Sequence, residues 1–391
     1  MTAGRRSLQG RGATTGGLVF HGGRLGFLVF LTCLEDNLDL MFRFFLPAIL
    51  FLTSHANAEV SVARQDFTIQ EGSEVRLFVR EVLSRQPVRQ PPAILLIHGA
   101  RVPGVPSFDL DVLGGSLAAD LAARGMAAYV MDVRGYGRST RPKEMEEPPS
   151  NRAALVRSNE AVRDIGAVVD WIRERRHVET VALFGWATGG QWAGYYASLF
   201  PQKVAALIML NSLYGANSGH PLMGHGSDME DKARPGHFNS EACGTYRLND
   251  EKSLFGVWDR SIPVANKDAW RNPNVARAYA ASALASDPTS SGRTPPSFRS
   301  PCGALEDSFY MATGRQLWDA SLITAPTLIL ASERDFWSRP EDRKLLEDHL
   351  VHAVRLKVIV LKDATHFVHL DRPERGRQVM IEEIVNFVSR N

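Results

Sequence analysis

Gly185-Trp186-Ala187-Thr188-Gly189-Gly190 follows directly on the apolar run Val181 to Phe184 and precedes Gln191 to Phe200, which has helical spacing. A short continuous apolar run bounded in this way reads as a strand buried on both faces. A strand that turns sharply into a helix leaves no room for side chains beside its apex, so close packing requires Gly185 and Gly189 around residue 187. The turn also sets Ala187 at a helix N-terminus, where backbone N–H groups and the helix dipole favour developing negative charge.

Working outward, Ala93 to Ile97, Ala127 to Val133, Ala205 to Leu210, Thr327 to Ala331 and Leu356 to Leu361 are apolar runs of the same kind. Between them lie helical patterns at Gly115 to Arg124 and Arg152 to Arg175, and Glu374 to Ser389 closes the chain. Alternation of strand and helix predicts a mostly parallel, doubly wound α/β sheet with ligands at the carboxyl ends of its strands. Val60 to Ile69 and Val75 to Val82 instead alternate apolar and polar residues around Gln70-Glu71-Gly72-Ser73, the pattern of an antiparallel hairpin at the sheet's edge. From Leu213 to Ile323 no regular pattern is visible, only Gly, Pro, Ser and aromatic residues such as His220, Trp258, Tyr310 and Trp318. A structureless loop of that length is improbable inside a domain, so residues 213–323 read as a cap on a core of 59–212 and 324–391.

The elbow and four other stretches together resemble the α/β-hydrolase superfamily, whose nucleophile sits at the centre of G-x-S-x-G. His98-Gly99 ends its strand as in that superfamily's oxyanion loop, and Asp132-Val133-Arg134-Gly135-Tyr136-Gly137-Arg138-Ser139 is similar to its D-x-R-G-x-G-x-S turn. Glu333-Arg334-Asp335 follows a strand where its acid sits, and Asp363-Ala364-Thr365-His366-Phe367 follows the last strand where its histidine sits. The resemblance implies ester hydrolysis by a serine-type carboxylesterase through an acyl-enzyme. His366 would be the base and Asp335 its orienting acid, and the amides of Ala100 (or Arg101) and Thr188 would be oxyanion donors. Glu333 competes with Asp335 and His369 with His366, while His98 reads as a structural hydrogen-bonder. Arg101, Trp186 and Tyr310 are candidate substrate contacts. No metal or cofactor is implied.

Ala187 stands where the nucleophile is expected, and alanine has no group with which to form an acyl-enzyme. Four readings are open. A serine has been replaced in an otherwise intact site; the protein binds ligand without turning it over; Thr188 acts instead; or the missing residue is an aspartate, as in dehalogenases and epoxide hydrolases.

The first 58 residues read separately. Met41-Phe42-Arg43, the apolar run Phe44 to Thr53 and Ala56-Asn57-Ala58 form the pattern of a secretory signal peptide (41–58), with residues 1–40 as an upstream extension. A secreted or periplasmic protein starting near Glu59, with no stable membrane insertion, is the expectation. In an oxidising compartment Cys243 and Cys302 would pair, Cys33 being lost with the leader. A balance of 45 basic and 43 acidic residues gives no reason to expect nucleic acid as a partner. With 44% hydrophobic residues the chain supports one large core, and the aromatic cap points to an apolar or aromatic ester as ligand.

Overall fold

The structure, a computed structural model, describes residues 61–86, 89–150, 152–215 and 219–390. The leader expected at 41–58 and the extension before it lie outside these residues. The strands are β1 (Val62–Glu71), β2 (Val75–Ser84), β3 (Ala93–Ile97), β4 (Ala127–Met131), β5 (Val181–Trp186), β6 (Val204–Leu210), β7 (Tyr246–Asn249), β8 (Phe298–Pro301), β9 (Thr327–Arg334) and β10 (Leu356–Thr365). The α-helices are α1 (Gly104–Phe108), α2 (Leu117–Ala123), α3 (Ser158–Arg176), α4 (Thr188–Leu199), α5 (Ser240–Cys243), α6 (Glu251–Ser261), α7 (Pro273–Ala285), α8 (Gly303–Ala312), α9 (Pro340–His349) and α10 (Gln378–Val388).

Eight strands form one sheet in the order β1-β2-β4-β3-β5-β6-β9-β10. β1–β2 and β2–β4 pair antiparallel, and every pairing from β4 to β10 is parallel. This is the doubly wound sheet entered through an antiparallel edge that the alternation predicts. The two-residue period of a strand sorts each buried run onto two faces. Ile94 and Leu96 of β3, with Phe184 of β5, pack against Phe108, Leu121 and Ile384, whereas Leu95, Ile97 and Leu183 pack against Ile165, Trp192 and Leu346.

Two expectations need correction. β10 is not buried on both faces: it is the edge strand, Leu361 alone is buried between Leu356 and Leu361, and Val360 is 53% exposed. The stretch between β6 and β9 is not patternless either, since it carries α5 to α8 and the antiparallel hairpin β7–β8, which pairs apart from the main sheet. α6 docks through Leu254, Trp258 and Ser261, and α7 through Val275, Ala276, Tyr279, Ala280 and Ala283. At its far end Trp318 is core and not cap. Its ring fills the space beside Gly194 of α4, where a Cβ would collide with it.

Cys243 and Cys302 are joined by a disulfide, Cα to Cα 5.9 Å, across a sequence separation of 59. The bridge lies just before β7 and just after β8, and so closes the base of the hairpin.

Candidate active site

Ala187, Asp335 and His366 are each the residue immediately following a parallel strand, namely β5, β9 and β10. All three therefore sit at the carboxyl edge of the sheet, where ligands bind in such folds. Asp335 Oδ1 accepts a hydrogen bond from His366 Nδ1–H at 2.6 Å. The remaining lone pairs of the carboxylate take N–H donors from Trp337 (3.1 Å, on Oδ1) and Ser338 (2.8 Å, on Oδ2). The Asp335 side chain is 2% exposed and His366 7%, so the pair is shielded from water. The competing acid, Glu333, is exposed, and its Oε2 accepts the Asp363 N–H at 2.8 Å. That bond closes an irregularity in β9–β10 pairing between Leu361 and Thr365, a bulge of the kind that re-aims a side chain beside a site.

The elbow has the geometry its glycines demand. Ala187 has φ 52° and ψ −117°, a conformation that L-residues rarely adopt and that costs on the order of 1–3 kcal/mol. A Cβ on Gly185 would strike the backbone of Gly189 and Gly190, and one on Gly189 would strike the carbonyls of Ile97 and His98. Gly190 is restricted for a reason not visible in the sequence, since Ser212 Oγ occupies the place of its Cβ.

The loop after β3 lies against the elbow: a Cβ on Gly99 would stand 3.6 Å from Ala187 Cβ. His98, fully buried, holds this loop. Its Nε2 accepts from Val133 N–H at 3.1 Å, which leaves Nδ1 as the donor to the Gly99 carbonyl at 2.7 Å. Burial pushes its pKa down to about 4, so the ring is neutral and structural. The Ala100 carbonyl accepts from Tyr136 Oη at 3.0 Å and from Arg247 Nη2 at 3.2 Å. The N–H groups of Ala100 and Thr188 meet no acceptor among the described residues.

The motif at 132–139 braces this edge, Val133 and Tyr136 through their bonds to His98 and Ala100. Asp132 Oδ1 accepts from Gly104 N–H (2.8 Å) and Oδ2 from Arg138 N–H (2.9 Å), while Arg134 is bonded to buried Asp164.

Trp186 is placed differently from its expected role as a substrate contact. It is 5% exposed, its Nε1 donates to the His366 carbonyl at 2.9 Å, and its ring packs 5.3 Å from the His366 ring and 4.3 Å from that of His369. It positions the histidine from beneath. Tyr310 does not come near Asp335 or His366 in any contact of the described residues; it packs with Phe309 on α8, under the Arg315 guanidinium. Arg101 lies in the loop after β3, Nη1 donating to the Ser253 carbonyl at 3.1 Å. His369 is fully buried, and burial with the nearby His366 and Arg377 pushes its pKa well down.

The roles of three further residues were not found from the sequence. Asn211, at φ 52°, donates Nδ2 to the His366 carbonyl (3.2 Å) and to Ser332 Oγ (2.9 Å), and its Oδ1 accepts Ser332 N–H (2.7 Å). It clamps the ends of β6 and β9 to the histidine loop. His220 accepts Leu222 N–H on Nδ1 and donates Nε2–H to the Trp337 carbonyl at 2.8 Å, steadying the loop that carries Asp335. The cap completes the enclosure: Trp258 donates to Asp371 Oδ1 at 2.9 Å and stacks on Phe367 at 5.0 Å.

Comparison with known proteins now has a geometry to meet. The family model described as serine aminopeptidase, S33, matches residues 114–373, a span that holds the elbow, Asp335 and His366. The chain belongs to that hydrolase family. It is also similar to the abhydrolase domain-containing protein abhd-5.2 of Caenorhabditis elegans, 28% identical over 39% of this chain and 30% of that protein. The match thus spans less than a third of that relative's length. Among solved structures, a hypothetical protein from Pseudomonas aeruginosa superposes with a TM-score of 0.55 at 15% identity, over 85% of this chain and 95% of its own. The 2-hydroxy-6-oxo-6-phenylhexa-2,4-dienoate hydrolase of Rhodococcus sp. strain RHA1 gives 0.53 at 13%, over 83% and 99%. At such identities the likeness establishes the α/β-hydrolase fold alone. Among the described residues of this α/β-hydrolase, no group of three His, Cys, Asp or Glu side chains is placed to hold a metal ion.

Proposed function

We propose that this is the site of a serine-type carboxylic ester hydrolase, held in an inactive state because alanine occupies the nucleophile position 187. The observation that carries the reading is the buried His366–Asp335 pair at 2.6 Å beside an elbow that keeps its strained conformation without a nucleophile. A residue without chemistry gains nothing from a positive φ, so the strain fits a frame shaped for a reactive side chain.

With serine at 187, His366 Nε2 would take the hydroxyl proton as Oγ attacks the ester carbon, then return it to the departing alcohol. Asp335 would keep Nδ1 protonated and balance the imidazolium charge. The free N–H groups of Ala100 and Thr188 would receive the oxyanion, each contributing on the order of 3 kcal/mol to the transition state. With alanine the ester binds and the covalent step is absent. The aromatic cap favours an ester with an aryl or otherwise apolar part. Export fits the Cys243–Cys302 bridge, and a mature chain beginning at Glu59 is the corresponding expectation for N-terminal sequencing.

The second reading, a ligand-binding protein without turnover, is favoured by Ala187 itself. The Ala187→Ser variant assayed on aryl and alkyl esters separates them: hydrolysis supports the first, and inertness on the whole panel supports the second. Turnover of haloalkanes or epoxides by Ala187→Asp, with none of esters by Ala187→Ser, would instead assign an aspartate nucleophile.

A further inference from the structure

The β7–β8 hairpin reaches across to the oxyanion loop and brings a second arginine to it. Arg247 of β7 bonds the Ala100 carbonyl, and Ser300, its partner across the hairpin, donates Oγ to the Arg101 carbonyl at 2.6 Å. Arg101 and Arg247 thereby flank Ala100, each pressing its charge on the other. Arg260 of α6 adds a third guanidinium close to Arg101; it stands 5.2 Å above the Phe336 ring, which packs 4.7 Å from the ring of His366.

Among the described residues this cluster has no ion-paired counter-charge; Arg101 and Arg247 lie inside it, while Arg260 is exposed. Arg134, Arg299 and Arg339 each meet a buried carboxylate, but no carboxylate lies within ion-pair reach of Arg101, Arg247 or Arg260 among the described residues. The acid whose charge acts on Arg101, Asp250, spends Oδ1 on the Ser253 N–H at 2.8 Å. The neighbouring phenols of Tyr136 and Tyr279 are pushed upward by burial and stay neutral. Arg247 Nε is buried with no partner at all. Burial pushes that guanidinium down to about 9, so it is still charged at neutral pH. Desolvating like charges side by side is costly, and an anion brought from outside would offset it.

We infer that the ligand of this site carries a carboxylate besides its ester, bound between Arg101 and Arg247 next to the oxyanion donors. The inference rests on the ester-hydrolase reading of the same site. Guanidinium planes suit a carboxylate because both oxygens can be met by paired N–H donors. A half-ester of a dicarboxylic acid with an aromatic alcohol joins this requirement to the apolar cap.

The test uses the chain with Ala187 in place, titrated calorimetrically with monobenzyl succinate and with its neutral counterpart benzyl methyl succinate. The half-ester is expected to bind at least about 10-fold more tightly, as charge-assisted hydrogen bonds imply, and high salt should narrow the gap. Arg101→Met and Arg247→Met should each shrink the ratio between the two ligands, and the lysine variants should restore part of it. The ratio within one protein is the readout, because Arg247 also holds the Ala100 carbonyl and its loss alters the loop for both ligands. Equal affinity for the two, binding of neither, or a ratio unchanged in both methionine variants overturns the inference. The Ala187→Ser chain keeps the two proposals apart. Equal kcat/KM on both esters overturns the carboxylate subsite and leaves the hydrolase standing; selective binding of the half-ester with no turnover does the reverse.

Discussion

Trp186 Nε1 donates to the carbonyl oxygen of His366 at 2.9 Å, tying the residue before the elbow to the proposed base. The bond crosses from β5 to the loop after β10, so the strand ends at the site are held in register by a side chain as well as by the sheet. Trp186→Phe keeps the ring and removes the donor. It should cost about 1 kcal/mol in denaturant unfolding. In the Ala187→Ser background it should lower kcat more than it raises KM, because the misplaced group is the base.

Gly189 is fixed by the carbonyls of Ile97 and His98, and no side chain fits there. Gly189→Ala should destabilise by about 3 kcal/mol or more, as overpacking against rigid backbone does. Gly256, on α6 with nothing within 4 Å of a would-be Cβ, provides the contrast. Gly256→Ala should gain about 0.5–1 kcal/mol through helix propensity. Urea unfolding of the two variants checks both signs.

His98 is held neutral by burial, its pKa pushed down to about 4. Between about 6.5 and 4 the unfolded chain binds a proton on this residue that the folded chain refuses, so stability falls as pH falls through that window. The full effect approaches about 3 kcal/mol below pH 4. His98→Asn has no such group. The stability margin of the unsubstituted chain over this variant should therefore shrink steadily from pH 6.5 to pH 4, measured by denaturant midpoints at each pH.

The disulfide closes the base of the hairpin that carries Arg247. The Cys243→Ser/Cys302→Ser chain should lose about 4 kcal/mol on the loop-entropy account for a separation of 59. A 2 Da mass increase on reduction of the parent chain, with a lower thermal midpoint, is the accompanying signature.

The sheet and the main site residues were legible because each stands next to its own signal. Ala187, Asp335 and His366 directly follow apolar strands, and strand order at the carboxyl edge brings them together without any knowledge of the loops. What was not legible depends on distant partners. Arg247 meets Ala100 across a separation of 147, and Asn211 meets His366 across 155, so neither role leaves a local trace. Leu356 to Leu361 reads like its neighbours, yet only sheet order reveals that β10 has no strand beyond it. Tyr310 was grouped with the cap aromatics by composition, which says nothing of the direction in which α8 faces. α7 was missed because it docks mainly through small residues, Val275, Ala276, Ala280 and Ala283 beside Tyr279, which leave a faint stripe; α6 was missed although Leu254 and Trp258 stand four apart on one face.

The central claim is that Ala187 is the one missing part of a serine hydrolase site. Ala187→Ser treated with a fluorophosphonate probe tests it most directly. One probe per chain, attached at residue 187 and abolished by His366→Ala, is the predicted result. A folded Ala187→Ser chain that remains unlabelled under conditions that saturate a known serine esterase would contradict it.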